Sequence, residues 1–351
     1  MQLIANQTPI EKARKNKKQH TMSLPSSMTV IEMRGSGDPD VLQSGTRPLP
    51  ILKDHEILLK VSAAGVNGPD LVQRRGHYPP PKGASDLLGL EVSGKVVAIG
   101  AAQNSWAVGD KICGLTNGGG YAEYVAIDAT HCLPIPDGIS LTDAAGLPET
   151  YFTVWSNVFF KQKLPANGNF LVHGGAGGIG STAIQLGTAM GLSVYTTAGD
   201  AASCNYCESL GAHQAINFND EDFVGVLREA GGADIILDII GGNYIARNIK
   251  AARHDARMIQ LAFNAGSRVE IDLMPVMLKR LSFTGSTLRS RSDQFKADVA
   301  ADLKEVIWPL FSGTTSQLRA TTFKSFPLEE ADKAHALMES ASQHGKILLT
   351  I

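Results

Sequence analysis

The sequence predicts an α/β fold in which a doubly wound parallel sheet of six strands lies beside a second, β-rich domain. Three observations predict it. From residue 28 to about 150, short apolar runs alternate with turn segments such as 35–39, which is typical of a compact β core. After Leu147, strand-like runs alternate with helix-like ones, which indicates a parallel sheet with helices on both faces. The glycine-rich segment 175–180 lies at the first strand-to-helix turn of that alternation.

The composition is that of an ordinary globular protein long enough for two domains. Of the 351 residues, 43% are hydrophobic and 19% are charged, and the formal net charge is −2. This balance provides no basic surface for nucleic acid or an anionic membrane. No apolar run is long enough to span a bilayer, and no signal-peptide core follows the N terminus. Because the four cysteines are too few for a disulfide scaffold, we expect a reducing compartment, the cytoplasm.

Residues 1–27 are polar and carry several lysines against a single glutamate, Glu11. A transit peptide would be rich in arginine, whereas this segment is mainly basic through lysine. We expect a disordered extension here, with Met22 or Met28 as alternative start residues.

Each domain can be outlined from its apolar runs. In the first, strands are predicted at 29–33, 56–61, 91–99, 111–113 and 121–126. In the second, strands are predicted at 170–172, 193–197, 214–218, 234–239, 258–262 and 281–284, with helices at 181–190, 201–210, 221–230, 244–251 and 273–279. A helix at 298–311 and strands at 323–327 and 346–351 follow. Six strands already fill the parallel sheet, so we expect residues 288–351 to return to the domain formed by 28–150, leaving 151–287 as the dinucleotide-binding domain.

The glycine segment has the spacing of a dinucleotide-binding turn. Gly175 allows the tight turn, Gly177 lets backbone approach a pyrophosphate, and Gly180 lets helix and strand pack closely. The diphosphate would lie on the free N–H groups that open the following helix. A strand before the turn and a helix after it distinguish this match from a chance glycine-rich loop.

Several motifs, in this order, resemble the quinone oxidoreductase family of the medium-chain dehydrogenase/reductase superfamily. They are the segments 65–85, 88–94, 173–180, 197–199, 216–223, 237–242 and 288–291. The nearest resemblance is to the p53-inducible quinone oxidoreductase branch and covers about residues 28–351. It implies a GroES-like β-rich catalytic domain, a Rossmann domain and a homodimer. Arg289 and Arg291 follow the last Rossmann strand, where we expect the dimer interface or the cofactor cleft.

The zinc ligands of the superfamily's alcohol dehydrogenases are absent from the matching positions. Where those enzymes carry a cysteine and a histidine, this chain has Asn67 and Leu90, which provide neither thiolate nor imidazole. A structural-zinc lobe with four cysteines is also missing. We therefore expect no metal site, and a structural role for the neighbouring Glu91.

Without a metal, the resemblance implies hydride transfer from a reduced nicotinamide to an electron-poor acceptor, with hydrogen-bond donors at the oxygen that gains charge. Asn67 and Tyr78 are the candidate catalytic residues, because an amide and a phenol donate without changing protonation at neutral pH. The alternatives are structural. Tyr78 would then only form a wall of the pocket, and Asn67 would only cap a turn.

The resemblance also implies a set of cofactor contacts, most of them at the carboxyl ends of the Rossmann strands. They are Thr153, Gly175, Ala176, Gly177, Gly178, Ile179, Gly180, Gly199, Asp200, Ser203, Phe218, Ile240, Phe263, Asn264, Ser286, Thr287, Leu288 and Lys346.

The choice between NADPH and NADH is left open by the sequence. Ala198 stands at the position that is acidic in NAD-specific enzymes, which permits a 2′-phosphate. However, Asp200, Ser203 and Phe218 replace the Ser, Lys and Tyr that bind the phosphate in the branch, and Asp200 would repel it. The resemblance to the branch favours NADPH, whereas the negative charge of Asp200 favours NADH.

The favoured function is a metal-independent NAD(P)H:quinone oxidoreductase acting on a small conjugated acceptor. Reduction of enones or enoyl thioesters uses the same hydride geometry and is the alternative. A function of another class, a cofactor-binding sensor or RNA-binding protein with negligible turnover, is disfavoured by the acidic balance of the chain.

Overall fold

A computed structural model of the chain describes residues 24–312 and 316–351, so most of the predicted N-terminal extension lies outside the described residues. Its strands are β1 Ser27–Met33, β2 Leu42–Pro48, β3 Glu56–Val66, β4 Glu91–Ile99, β5 Lys111–Leu115, β6 Tyr124–Asp128, β7 Cys132–Pro134, β8 Asn169–His173, β9 Ser193–Ala198, β10 Gln214–Asn217, β11 Ala233–Asp238, β12 Ala252–Gln260, β13 Ser282–Gly285, β14 Thr322–Pro327 and β15 Lys346–Thr350. Its α-helices are α1 Gly68–Arg74, α2 Pro148–Val154, α3 Gly178–Ala189, α4 Ala201–Ser209, α5 Phe223–Glu229, α6 Tyr244–Ala251, α7 Met274–Leu278, α8 Asp293–Asp302 and α9 Ala331–Glu339. Within these residues, no helix is both long and apolar enough to cross a membrane.

The predicted six-stranded parallel sheet is confirmed. Its strands run in the order β10-β9-β8-β11-β12-β13, and every neighbouring pair is parallel. Successive strands therefore step to one side from β8 to β10 and to the other side from β11 to β13. The order reverses between β8 and β11, and such a reversal opens a crevice at the carboxyl ends of the strands, where ligands bind in open α/β sheets.

The second sheet contains strands from both ends of the described chain. Its order is β14-β15-β3-β4-β5-β7, and β6 also pairs with β3. β15 runs antiparallel to β3 and parallel to β14, so the last strands lie in the sheet that the first domain begins. The exact boundaries at about residues 150 and 288 remain predictions. The pairing of β15 brings residue 346 beside residue 67, because the strand that starts at Lys346 lies along the end of β3.

Helix α2 joins the two sheets, and all of its residues are buried. Pro148 begins the helix, as its fixed φ and missing N–H suit the first turn. Tyr151 packs edge-on against Trp308 at a centroid distance of 5.8 Å, so one side of α2 is covered by the C-terminal part of the chain. The first turn of α2 is thereby held at a fixed place between the domains.

Some predicted elements were wrong in their bounds. The strand predicted at 121–126 begins only at Tyr124, because Tyr121 is buried in a loop where its N–H donates to Leu88 O and its carbonyl accepts from Ile31 N. The helix predicted at 298–311 begins at Asp293, since the Ser292 side chain caps it by accepting from Phe295 N. It ends as α-helix at Asp302 and continues as π- and 3₁₀-turns to Phe311.

Five of the described strands and α-helices were not predicted: β2, β7, α1, α2 and α9. β2 lacks apolar alternation because only Leu42 is buried in it. α1 and α2 have seven residues each, too short for a helical period to be read from the sequence.

Candidate functional site

The glycine turn fits a ligand that approaches through backbone alone. A Cβ atom on Gly175 would overlap with Thr196 Oγ1, and one on Gly180 would overlap with the carbonyl oxygen of Gly174. The protein itself therefore requires these two glycines. A Cβ on Gly177 would meet nothing closer than Gly174 O at 3.6 Å, so the space in front of Gly177 is open. α3 starts directly after Gly177, and its free N–H groups point toward that space.

The remaining predicted residues of the turn link it to the C-terminal strand. Ala176 O accepts a hydrogen bond from Gly345 N at 2.7 Å. A Cβ on Gly178 would come within 2.8 Å of Lys346 Cδ, and Ile179 packs against the core. The segment before β15 thus closes one side of the turn.

The end of β9 carries an anionic group. Asp200 caps α4, with its Oδ1 accepting from Ser203 N at 2.7 Å, and that backbone hydrogen bond lowers the pKa of Asp200. The Phe218 ring lies over Gly199, 3.2 Å from where a Cβ would be. Ser203 Oγ lies 3.0 Å from Nε2 of His344, which sequence reasoning missed. His344 comes from the loop before β15, 141 residues away, and no local pattern marks it.

The other predicted cofactor contacts lie where three more strands end. Ile240 N donates to Asp238 Oδ1 at 2.6 Å, directly after β11. After β12, Phe263 is 45% exposed, and Asn264 N donates to Ile239 O, which ties the two turns together. Ser286, Thr287 and the buried Leu288 follow β13. These residues thus follow the carboxyl ends of β11, β12 and β13, the edge of the sheet at which the crevice opens.

A buried ion pair lies beside Asn67, the residue that the resemblance matches to a metal-binding cysteine of the alcohol dehydrogenases. Lys346 Nζ lies 2.6 Å from Glu91 Oε1 and donates to Asn67 Oδ1 at 2.6 Å. Asn67 Nδ2 also donates to Glu91 Oε1, at 2.9 Å. All three side chains are at most 5% exposed. The ammonium therefore neutralises the carboxylate, and the structural role expected for Glu91 remains a prediction that this ion pair supports.

Both ends of the Asn67 side chain are engaged in this cluster. Its Oδ1 accepts from Lys346, and its Nδ2 donates to Glu91 and, at 3.4 Å, to Gly65 O. Its backbone N–H donates to Asp70 Oδ2 at 2.9 Å at the start of α1. This geometry favours a positioning role at a helix start over a free donor to substrate. Lys346, predicted as a cofactor contact, lies with its ammonium in the cluster and its carbon chain under the glycine turn.

Glu149 is the functional candidate that sequence reasoning missed. Its backbone N–H donates to Glu91 Oε2 at 2.8 Å, which links it to the ion-pair cluster. Its carboxyl is buried, and the hydrogen bond recorded for it in the described residues comes from Thr153 Oγ1 at 3.5 Å, one helical turn later. Burial, together with the charge of Glu91, raises the pKa of Glu149 to about 8. The available signal was a lone carboxylate within the apolar segment 147–154.

Tyr78 is partly buried and lies near enough to Glu149 for the charge of that carboxyl to affect its phenol. Burial and the nearby charge of Glu149 raise the pKa of its phenol, so it keeps its proton at neutral pH. The Arg289 guanidinium lies 5.6 Å from the centre of the Tyr78 ring. Arg289 is buried and donates to Asn117 O and to Gln73 Oε1, each at 2.6 Å. It therefore holds the loop at Asn117 and the end of α1 in place behind Tyr78, and the expectation that Arg289 lies at the dimer interface or the cofactor cleft remains a prediction.

Among residues 24–312 and 316–351, no three His, Cys, Asp or Glu side chains come together in a way that would hold a metal ion. Two sheets joined by α2, with a glycine turn where the strand order of the parallel sheet reverses, are typical of a nucleotide-dependent oxidoreductase.

Comparisons with known proteins agree with this class. Residues 53–137 match the family model of the alcohol dehydrogenase GroES-like domain, and residues 178–305 match that of the zinc-binding dehydrogenases. The quinone oxidoreductase of Sus scrofa is 30% identical over 336 residues, which cover 92% of this chain and 98% of the relative. The chain belongs to the quinone oxidoreductase family of the medium-chain dehydrogenase/reductases.

Two solved structures have the same fold over most of their length. The Escherichia coli quinone oxidoreductase complexed with NADPH is 26% identical with a TM-score of 0.78, covering 92% of this chain and all of that one. An NAD-dependent alcohol dehydrogenase is 26% identical with a TM-score of 0.80 and the same coverage. This protein is therefore an oxidoreductase with a nicotinamide cofactor, and the predicted GroES-like and Rossmann architecture is confirmed.

Proposed function

We propose that this protein transfers a hydride from a reduced nicotinamide to a quinone without the help of a metal. The observation that supports the proposal is the buried cluster of Lys346, Asn67 and Glu91, in which an ammonium neutralises a carboxylate near the open glycine turn. The similarity to quinone oxidoreductases supports the choice of acceptor.

The residues described above suggest how the site works. The turn 175–180 would hold the pyrophosphate, Gly199, Asp200, Ser203 and Phe218 would surround the adenosine ribose, and Thr153 with residues 240, 263–264 and 286–288 would line the nicotinamide end. The bound cofactor supplies the hydride. Tyr78 donates a hydrogen bond to the acceptor oxygen as that oxygen gains charge, since its phenol stays protonated. Asn67 positions Lys346 and the start of α1.

The proposal is tested by the consumption of NADH and NADPH with a panel of quinones, enones and enoyl thioesters. We expect the quinones to have the highest kcat/KM. Higher kcat/KM with enones or enoyl thioesters would instead establish the alternative, a reductase of activated carbon–carbon double bonds. If no acceptor supports turnover although the cofactor binds, the sensor or RNA-binding hypothesis replaces both.

Cofactor choice follows from the end of β9. Because the Asp200 carboxylate is held anionic by its helix cap, we propose that the protein prefers NADH, although descent within the family favours NADPH. The similar structures include one with NADPH and one described as NAD-dependent, and they leave this choice open.

We further propose that the protein is a cytoplasmic homodimer formed along β13. Every residue of this edge strand is exposed, including Phe283 at 55%, and so are Leu273, Met277 and Leu278 on and beside α7. An unpaired edge with an apolar surface is a template for pairing with a second copy. Light scattering should give twice the chain mass for the wild type, and Phe283→Asp should shift the protein toward monomer. A monomeric wild type would refute the proposal.

A further inference from the structure

Three buried carboxylates lie close together at the end of the site, and their surroundings differ. Glu91 is neutralised by Lys346 at 2.6 Å. Asp70 accepts hydrogen bonds from the backbone N–H groups of Asn67 and Gly89, at 2.9 and 3.0 Å. Glu149 has neither arrangement, because in the described residues no ion pair involves it and its hydrogen bond from Thr153 is 3.5 Å long. A buried carboxyl without a cation or strong donors favours the protonated form.

The position of Glu149 relates it to the predicted reaction. It lies in the first turn of α2, one turn before Thr153, which is a predicted neighbour of the nicotinamide. Tyr78, the proposed donor to the acceptor, is close enough for the charge of Glu149 to affect its pKa. The acceptor would thus lie between a phenol and a carboxyl group.

We propose that Glu149 is a further catalytic residue, the acid that gives a proton to the acceptor as the acceptor is reduced. This inference rests on the proposed function and adds the source of the proton. In one turnover, the acceptor gains a hydride from the reduced nicotinamide and a proton from Glu149. The O–H bond of the carboxyl breaks, a new O–H or C–H bond forms on the product, and the carboxylate is reprotonated from solvent. The hydride supplies both electrons, and Glu149 supplies the one additional proton that the reduced product needs.

Charged groups from several elements face Glu149. Glu91 on β4 and Asp70 on α1 raise its pKa, whereas Lys346 on β15 and Lys296 on α8 lower it, and burial exceeds all of them. Arg289 lies farther along, beside Tyr78. With the pKa of Glu149 at about 8, the carboxyl carries a proton at pH 7 and can donate it. As the pH rises through that value, the carboxyl loses its proton and can no longer act as the acid.

The donor matters most for acceptors that become strongly basic. A quinone gives a hydroquinone anion, which is a weaker base than the enolate formed from an enone. Reduction of an enone therefore depends more strongly on an acid at this position. The inference thus predicts which acceptors suffer most when Glu149 is changed.

The first test compares Glu149→Gln with the wild type, using quinone and enone acceptors over a range of pH. We expect kcat for the wild type to fall as the pH rises through about 8. In Glu149→Gln that fall should disappear, and kcat at pH 7 should be about 100-fold lower, with the larger loss for the enone. The matched control is Glu305→Gln, which removes an exposed carboxyl from the π-turn that directly follows α8. It should retain the wild-type pH profile.

A second readout needs neither cofactor nor turnover. Because the pKa of Glu149 is higher in the folded protein than its ordinary value of 4.5, the folded state binds a proton that the unfolded chain releases between these pH values. The wild type should lose thermal stability relative to Glu149→Gln as the pH rises from 5 to 8. If Glu149→Gln does not fold, the wild-type pH profile and Glu149→Asp, which keeps an acid on a shorter side chain, decide the matter.

The outcomes separate the two proposals. A Glu149→Gln variant with wild-type kcat and pH profile, in an enzyme that reduces quinones, overturns the role of Glu149 and leaves the proposed function intact. A wild type that reduces no acceptor, yet shows the pH-dependent stability, refutes the proposed function and with it the proton transfer. If Glu149→Asp restores the pH profile that Glu149→Gln has lost, the inference is supported. A purely structural defect would not be repaired by an acidic side chain in particular.

Discussion

The two halves of the site are constructed in opposite ways. The glycine turn at 174–180 is one continuous segment, and it works through backbone atoms and the absence of side chains. The cluster of Asn67, Glu91 and Lys346 combines three distant segments, and Asn67 and Lys346 are 279 positions apart. It works through buried charges that only the folded chain brings together.

The difference shows which kind of substitution each half resists. In the turn, the volume of one added methyl group decides whether a substitution lowers stability. Gly175 and Gly180 have no room for a Cβ, whereas Gly177 has room. In the cluster, charge balance decides whether a substitution lowers stability, because Glu91 is fully buried and Lys346 is the cation that pairs with it. The turn is therefore sensitive to size and the cluster to charge.

Replacing Lys346 should have the largest effect on the cluster. Lys346→Met leaves the Glu91 carboxylate buried without a cation, and the free energy of unfolding should fall by roughly 3–5 kcal/mol. Urea unfolding measures this change. The double variant Lys346→Met/Glu91→Gln removes both charges and should recover part of the loss. If the single and double variants were equally stable, the ion pair would not be what balances the cluster.

A matched pair of alanine substitutions distinguishes the two kinds of glycine in the turn. Gly180→Ala should lower the free energy of unfolding by roughly 1–3 kcal/mol, since its Cβ would overlap with Gly174 O. Gly177→Ala should leave unfolding unchanged, because the nearest atom is 3.6 Å away, but should weaken cofactor binding by roughly 10- to 100-fold, worth about 1.4–2.7 kcal/mol. Urea unfolding and fluorescence titration with NADH measure the two quantities. A Gly177→Ala variant that binds NADH normally would show that the ligand does not approach this backbone.

The smallest effect is expected at the adenosine end. Asp200→Ser removes the carboxylate beside the 2′ position and keeps a helix-capping side chain. The ratio of kcat/KM for NADPH to that for NADH should rise roughly fivefold to tenfold, because a repulsive charge has been removed in a solvated setting. Asp222→Ser, which changes the cap of α5, is the control. A strong NADPH preference in the wild type would contradict the electrostatic argument from the start.

Much of the fold was predictable because the signals were local. Six apolar runs, separated by helical periods, were sufficient for the parallel sheet, and the spacing of Gly175, Gly177 and Gly180 predicted the turn. The errors fell where tertiary contacts override local pattern. Tyr121 leaves the predicted strand because it is buried in a loop, and α2 is too short to show a period. The assignment of individual cofactor contacts remains a prediction.

The sequence by itself determined the parallel sheet and the glycine turn, because backbone sterics and residue chemistry act within a few positions. Only the tertiary structure decided that Lys346 neutralises Glu91, that the Asn67 amide is engaged, and that Glu149 is buried with no ion pair to any residue that the structure describes. The state of a buried charge depends on which distant groups exclude water from it and which lie within hydrogen-bonding distance. No pattern in the linear chain contains that information.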